Sequence, residues 1–262
     1  MRYRLTRPEM HLVLACAALV ALALLAPAVA QPPDAHAFAD QRALFGIPHA
    51  LDVLSNLPFA AAGAWGLVLL HRARLSQLHP TQRGCAQVFF IGLLVTAAGS
   101  SWYHLAPDDI GLAIDRGSMS VAFAGLLGLV AAGRVSDRAG RALCVGLLLA
   151  APASVLFWLR TGNVLPWAVV QFGGIALVLL VLATGSQRLA TLPVRWSLVL
   201  LAYAIAKLFE VNDHAVLAAS GELLSGHTLK HVAAALAAAP VIVALLPLRR
   251  RQNGTGNVAR AT

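Results

Sequence analysis

The sequence predicts an all-α integral membrane protein, a seven-helix bundle with one additional helix at its N-terminus. Three observations predict it. Of the 262 residues, 59% are hydrophobic and only 12% are charged. The chain holds eight apolar runs, each near the roughly 20 residues that a helix needs to cross a bilayer. Basic residues fall in every second loop between those runs, as they do in multi-pass proteins. Lipid offers the backbone no hydrogen-bond partner, so runs of this length form helices that satisfy themselves. A net charge of +9 would point to nucleic acid in a soluble protein. Here that charge sits mainly in short loops, where it sets topology, and no nucleic-acid partner is expected.

Residues 1–30 place Arg2, Arg4 and Arg7 before an apolar stretch and end in Ala28-Val29-Ala30. This is the layout of a secretory signal peptide with an Ala-x-Ala cleavage site, and the stretch is equally long enough to stay as a signal-anchor helix. Residues 31–49 read as a polar extracytoplasmic linker, 50–248 as the seven-span domain and 249–262 as a basic cytoplasmic tail. The spans are expected near 50–70, 85–104, 113–133, 142–159, 164–184, 196–217 and 227–248. Arg72, Arg74 and Arg83 follow the first, Arg134, Arg138 and Arg141 the third, Arg188 and Arg195 the fifth, and Arg249, Arg250 and Arg251 the seventh. The alternate loops are nearly free of basic residues. The positive-inside rule therefore puts the start of the domain outside and the C-terminus in the cytoplasm. Cys16, Cys85 and Cys144 lie in separate apolar runs without metal-type spacing and read as small buried hydrophobes.

An ionisable residue inside a span is costly, so its default reading is a functional group facing the bundle interior. His227 and His231 stack on one helix face at i and i+4, a spacing that lets both rings reach one metal ion. Ser100 and His104 repeat that spacing at the end of the second span, and Asp115 opens the third. The topology puts all five at one depth, near the outer ends of three helices. They are read together as a zinc site: His104, His227 and His231 as ligands, with Asp115 and Ser100 beside the open coordination position. Each residue alone has a plainer reading. His104 could be interfacial, Asp115 could pair with Arg116 or cap its helix, and Ser100 could serve close packing. Lys207 and Glu210, three apart, fit an ion pair near the site, and Asp213 and Glu222 fit the entrance.

Ser100-x-x-x-His104, Asp115 eleven residues later and His227-x-x-x-His231 together resemble the alkaline ceramidases. Those enzymes belong to a superfamily of seven-span membrane hydrolases that includes the progestin and adipoQ receptors. Asp52-Val53-Leu54-Ser55-Asn56-Leu57 is similar to that family's first span, and Lys207–Glu210 with Ser225–His231 to its bacterial branch. The resemblance covers about residues 38–250. It implies zinc-dependent hydrolysis of ceramide or a related lipid amide to a sphingoid base and a fatty acid, in a bacterial plasma membrane. It implies a membrane lipid as partner and leaves the oligomeric state open. Eukaryotic members also bind calcium through an acidic segment before the first span. Here only Asp34, Asp40 and Asp52 lie in that region, and His49 stands about where one acidic ligand would be. A receptor of the same superfamily and a transporter or proton relay are the competing expectations. The short tail favours an enzyme over a receptor, and no internal repeat speaks for a transporter.

Overall fold

A computed structural model describes residues 4–72 and 78–250. Among these residues every regular element is a helix, and the only β pairing is two isolated bridges. Seven helices are long and apolar enough to cross a membrane, as a multi-pass membrane protein requires. The first is α1 (Arg7–Leu25). Thr6 opens it with a reciprocal capping box, its hydroxyl accepting from Glu9 N–H and its own N–H donating to the Glu9 carboxylate. That carboxylate also accepts from Ser136 Oγ at 2.6 Å and Arg138 Nη2 at 2.8 Å. The start of α1 is thereby tied to the start of the helix that Ser136 caps. Further along, Leu19 packs on the bare backbone at Gly173 of α7 (Leu165–Thr184).

The bundle is built around α4 (Pro80–Leu105) and α5 (Asp109–Arg134), the most extensively packed pair. A three-residue link joins them, and Asp108 caps α5 by accepting from Gly111 N–H at 2.6 Å. Their axes approach closely because small residues line the seam. A Cβ built on Gly125 would sit 2.2 Å from the Phe89 nitrogen, and one on Gly92 would sit 2.2 Å from the Ala122 nitrogen. In lipid, such close approach replaces the hydrophobic drive that water supplies to soluble bundles. Helix α6 (Asp137–Thr161) packs on the far side of α5, opened by Ser136 accepting from Ala139 N–H. Cys85 and Cys144 are buried free thiols that meet over Gly128, and Cys16 is a half-buried one.

The remaining spans are interrupted. The first core span divides into α2 (Ala50–Leu54) and α3 (Leu57–Arg72), and the last into α10 (Gly226–Leu236) and α11 (Ala239–Arg250). The expected continuous span over 196–217 is instead α8 (Trp196–Val211) and α9 (Asp213–Ala219), parted at Asn212, and it is not among the seven helices of membrane-crossing length, which count α1. The break has a local cause. Asn212 spends its side-chain amide on the Leu208 carbonyl, and the Asp213 carboxylate turns outward to other elements. Gly226 opens α10 against this break, where a Cβ would sit 2.3 Å from the Phe209 carbonyl oxygen. Widening the α4–α5 seam is therefore expected to be expensive. Gly125→Val should lower thermal stability in detergent by about 1–3 kcal/mol, read from the melting midpoint against Ser136→Thr as a mild control.

Candidate metal centre

Asp52 of α2 fixes the start of α10. Its Oδ1 accepts from Thr228 Oγ1 at 2.7 Å and from Ser225 Oγ at 3.3 Å, while Ser225 caps α10 by accepting from Thr228 N–H. Asp213 adds a second brace, its Oδ1 accepting from His227 N–H at 2.7 Å. So anchored, the first two turns of α10 direct His227 and His231 at His104 in the last turn of α4, a ring with 0% exposure. The three ring centroids stand 4.8, 4.8 and 5.1 Å apart, a nearly equilateral triangle. All three residues offer ligand atoms within 4.8 Å of one another.

These rings fit a metal. Zinc–nitrogen bonds of about 2.0–2.1 Å at a tetrahedral angle put neighbouring ligand nitrogens about 3.3 Å apart. The His104 and His227 Nε2 atoms are 3.2 Å apart. The surroundings of His231 suit a ligand as well. Its Nδ1 lies 2.8 Å from Ser55 Oγ, which lies 2.9 Å from the Asp52 carbonyl. With the Ser55 proton on that carbonyl, Ser55 accepts from Nδ1–H, the tautomer that would present the Nε2 lone pair to a metal.

A strap from the 31–49 linker covers the loop side of the cluster. The Phe38 ring, 6% exposed, stands edge-on to His227 and His104 at centroid distances of 4.4 and 4.7 Å. The strap is held by backbone and charge. Ala39 N–H donates to Asp213 at 2.9 Å, and Arg42 reaches the Asp40 carboxylate and the Glu222 and Leu223 carbonyls. This guanidinium holds the Asp40 carboxyl below its ordinary range. A lowered carboxylate pKa stabilises the fold above the unfolded value of about 3.9, and the contribution fades as pH falls through the lowered one. Asp40 is thus committed to Arg42, and among the described residues the three histidines are the one group gathered to hold a metal.

On its other side the cluster opens into a cavity. Ser100, Asp115 and His231 line its polar end, joined by Lys207, Glu210 and Lys230, and Phe59, Phe89, Leu126, Val178 and Trp196 are among its apolar walls. Asp115 is buried, and its Oδ1 has no hydrogen-bond partner. Lys207 and Glu210 form the expected ion pair, and Lys230 reaches the same glutamate at 3.3 Å. Asp213 stands apart from this wall, bracing α10 and the strap. Glu222 contributes its backbone carbonyl to Arg42. Sequence reasoning missed Ser55, Phe38 and Arg42 as parts of the site. Only the Ser55-Asn56 pair carried a signal, as polar residues within an apolar run. Compared with models of known protein families and with curated proteins, the chain matches none.

Two outcomes follow for these contacts. Ser55→Ala should weaken metal affinity about 10–100-fold, measured by competition with a chromogenic chelator, because His231 loses the bond that fixes its tautomer. Arg42→Ala should release the strap, seen as faster proteolysis within residues 31–49 at neutral pH.

Proposed function

We propose that this protein is a zinc-dependent intramembrane hydrolase of ceramide or a related lipid amide. The observation that carries the reading is a cluster of three buried imidazoles, one of which, His231, lines a largely apolar cavity together with Ser100 and Asp115, a buried carboxyl with one oxygen unpaired. Three neutral imidazoles suit zinc and leave a coordination position free, as a catalytic site needs. When bound, zinc supplies Lewis acidity and a water acidified to a pKa of about 7.

The chain's own residues supply the rest. Asp115, facing the cavity next to His231, accepts the proton of the attacking water and delivers it to the leaving amine. Ser100 donates its hydroxyl proton towards the oxygen of the amide carbonyl as negative charge builds there. The apolar walls keep other water away and strengthen both interactions. Phe38 seals the loop side, so a lipid amide enters from the bilayer with its chains against those walls. The basic loops orient the protein with its C-terminus in the cytoplasm and the site near the outer face. An amide just below the lipid headgroups then lies level with the imidazoles. Membership of the alkaline ceramidase family would account for the set of residues as well as for their placement.

The test is hydrolysis of ceramide in liposomes by purified protein, with lipids read by mass spectrometry. Wild type should release a sphingoid base and a fatty acid. Asp115→Asn should keep its metal by elemental analysis and lose about 100-fold or more in rate. His227→Ala should lose both. Unchanged turnover in Asp115→Asn would sink the mechanism.

A further inference from the structure

The cavity carries a charged cluster for which the hydrolytic steps have no use. Glu210 on α8 receives Lys207 on one carboxylate oxygen and Lys230, from α10, on the other at 3.3 Å. The three side chains are 26, 33 and 18% exposed in the order Lys207, Glu210, Lys230, and all three line the cavity. Their charges therefore face open space and are not packed away. Ionisable groups at this depth are costly, and apolar side chains could join α8 to α10 without that cost. Each ammonium has three protons to donate. Among the described residues neither lysine has a hydrogen-bond partner besides Glu210, and Asp115, on the facing helix, pairs with neither.

Beyond Ser100, Asp115 and His231, the remainder of the cavity is aliphatic and aromatic apart from Thr96, Gln171 and the Tyr203 hydroxyl. Its walls follow α5 from Asp115 to Leu127, about 18 Å at the 1.5 Å rise of a helix. That depth is close to one leaflet's half of a hydrocarbon core about 30 Å thick. One end thus offers two ammonium groups sharing a single carboxylate, and the other accepts a straight chain of leaflet length.

We infer that Lys207 and Lys230 form a carboxylate-binding subsite for a single-chain amphiphile, a fatty acid whose tail lies along the cavity. Glu210 is the internal stand-in, keeping both ammonium groups in place until a ligand carboxylate shares them. Lys230 precedes the ligand His231, so the subsite adjoins the reacting end. Its meaning as the seat of the acid released by amide cleavage rests on the proposed hydrolysis; the binding itself does not.

The experiment compares palmitate with hexadecanol, two probes alike but for the anionic head. Binding is measured to the full-length protein in zwitterionic nanodiscs, with metal present and after chelation. Wild type should bind palmitate about tenfold or more tighter in both states, as hydrogen bonds to charged groups warrant. The Lys207→Met/Lys230→Met double variant should bring the two probes to near-equal affinity. Glu210→Gln, which removes the internal competitor, should tighten palmitate and leave hexadecanol unchanged. Equal affinities in wild type, a preference that survives the double variant, or looser palmitate binding in Glu210→Gln would each overturn the subsite. A preference that vanishes on chelation would assign the carboxylate to the metal and overturn it as well. Because binding is read without turnover, failure to hydrolyse ceramide leaves this result standing, and the two readings can fail separately.

Discussion

A polar side chain held at membrane depth must find its partner within the protein, because neither water nor lipid will supply one. Much of the site follows that constraint. His231 pairs with Ser55, Ser55 with the Asp52 carbonyl, and Asp52 Oδ1 with Ser225 and Thr228 at the head of the helix that carries His231. The chain of bonds closes on itself between α2 and α10. It fixes the helix start, the ring orientation and the tautomer together, and leaves one nitrogen lone pair to be used. Among the buried atoms without a partner in the described residues, Asp115 Oδ1, His104 Nδ1, Asp52 Oδ2 and Asn56 Oδ1 lie in or next to the same cluster.

The breaks in α2–α3, α8–α9 and α10–α11 belong to the same economy. Continuous helices satisfy their own backbones and leave none of its groups to a neighbour. An interrupted one frees side chains such as Asp213, which accepts from the strap and from α10 at once. Against these irregular spans, α4 and α5 are long, straight in connection and tightly seamed through glycine. The rigid pair presents Ser100, His104 and Asp115, and the interrupted spans bring the remaining polar groups to them. The strap then adds the Phe38 ring, which stands against both His104 and His227.

Some of this was legible in the chain. The His227–His231 spacing announces a shared helix face, since side-chain direction in a helix repeats on a short period. The alternation of arginines between loops gives each helix a direction, so residues of α4, α5 and α10 could be assigned to one end of the bundle. The double bracing by Asp213 was not legible, because its partners Ala39 and His227 belong to other elements of the chain. Lys230 was visible only as part of a motif. Its contact with Glu210 depends on how α10 crosses α8, and Gly226 permits that crossing by lacking a Cβ.

The amino-acid sequence by itself determined the helical membrane class of the molecule, where most of its apolar segments lie, and which polar residues gather at one end of them. Those properties come from composition and short-range periodicity, which each segment carries alone. Tertiary structure decided which rings face one another, that Phe38 covers them, that Ser55 sets a tautomer and that three charges meet in one cavity wall. Each of these joins residues far apart in the chain, and only the packing of whole helices fixes such pairings.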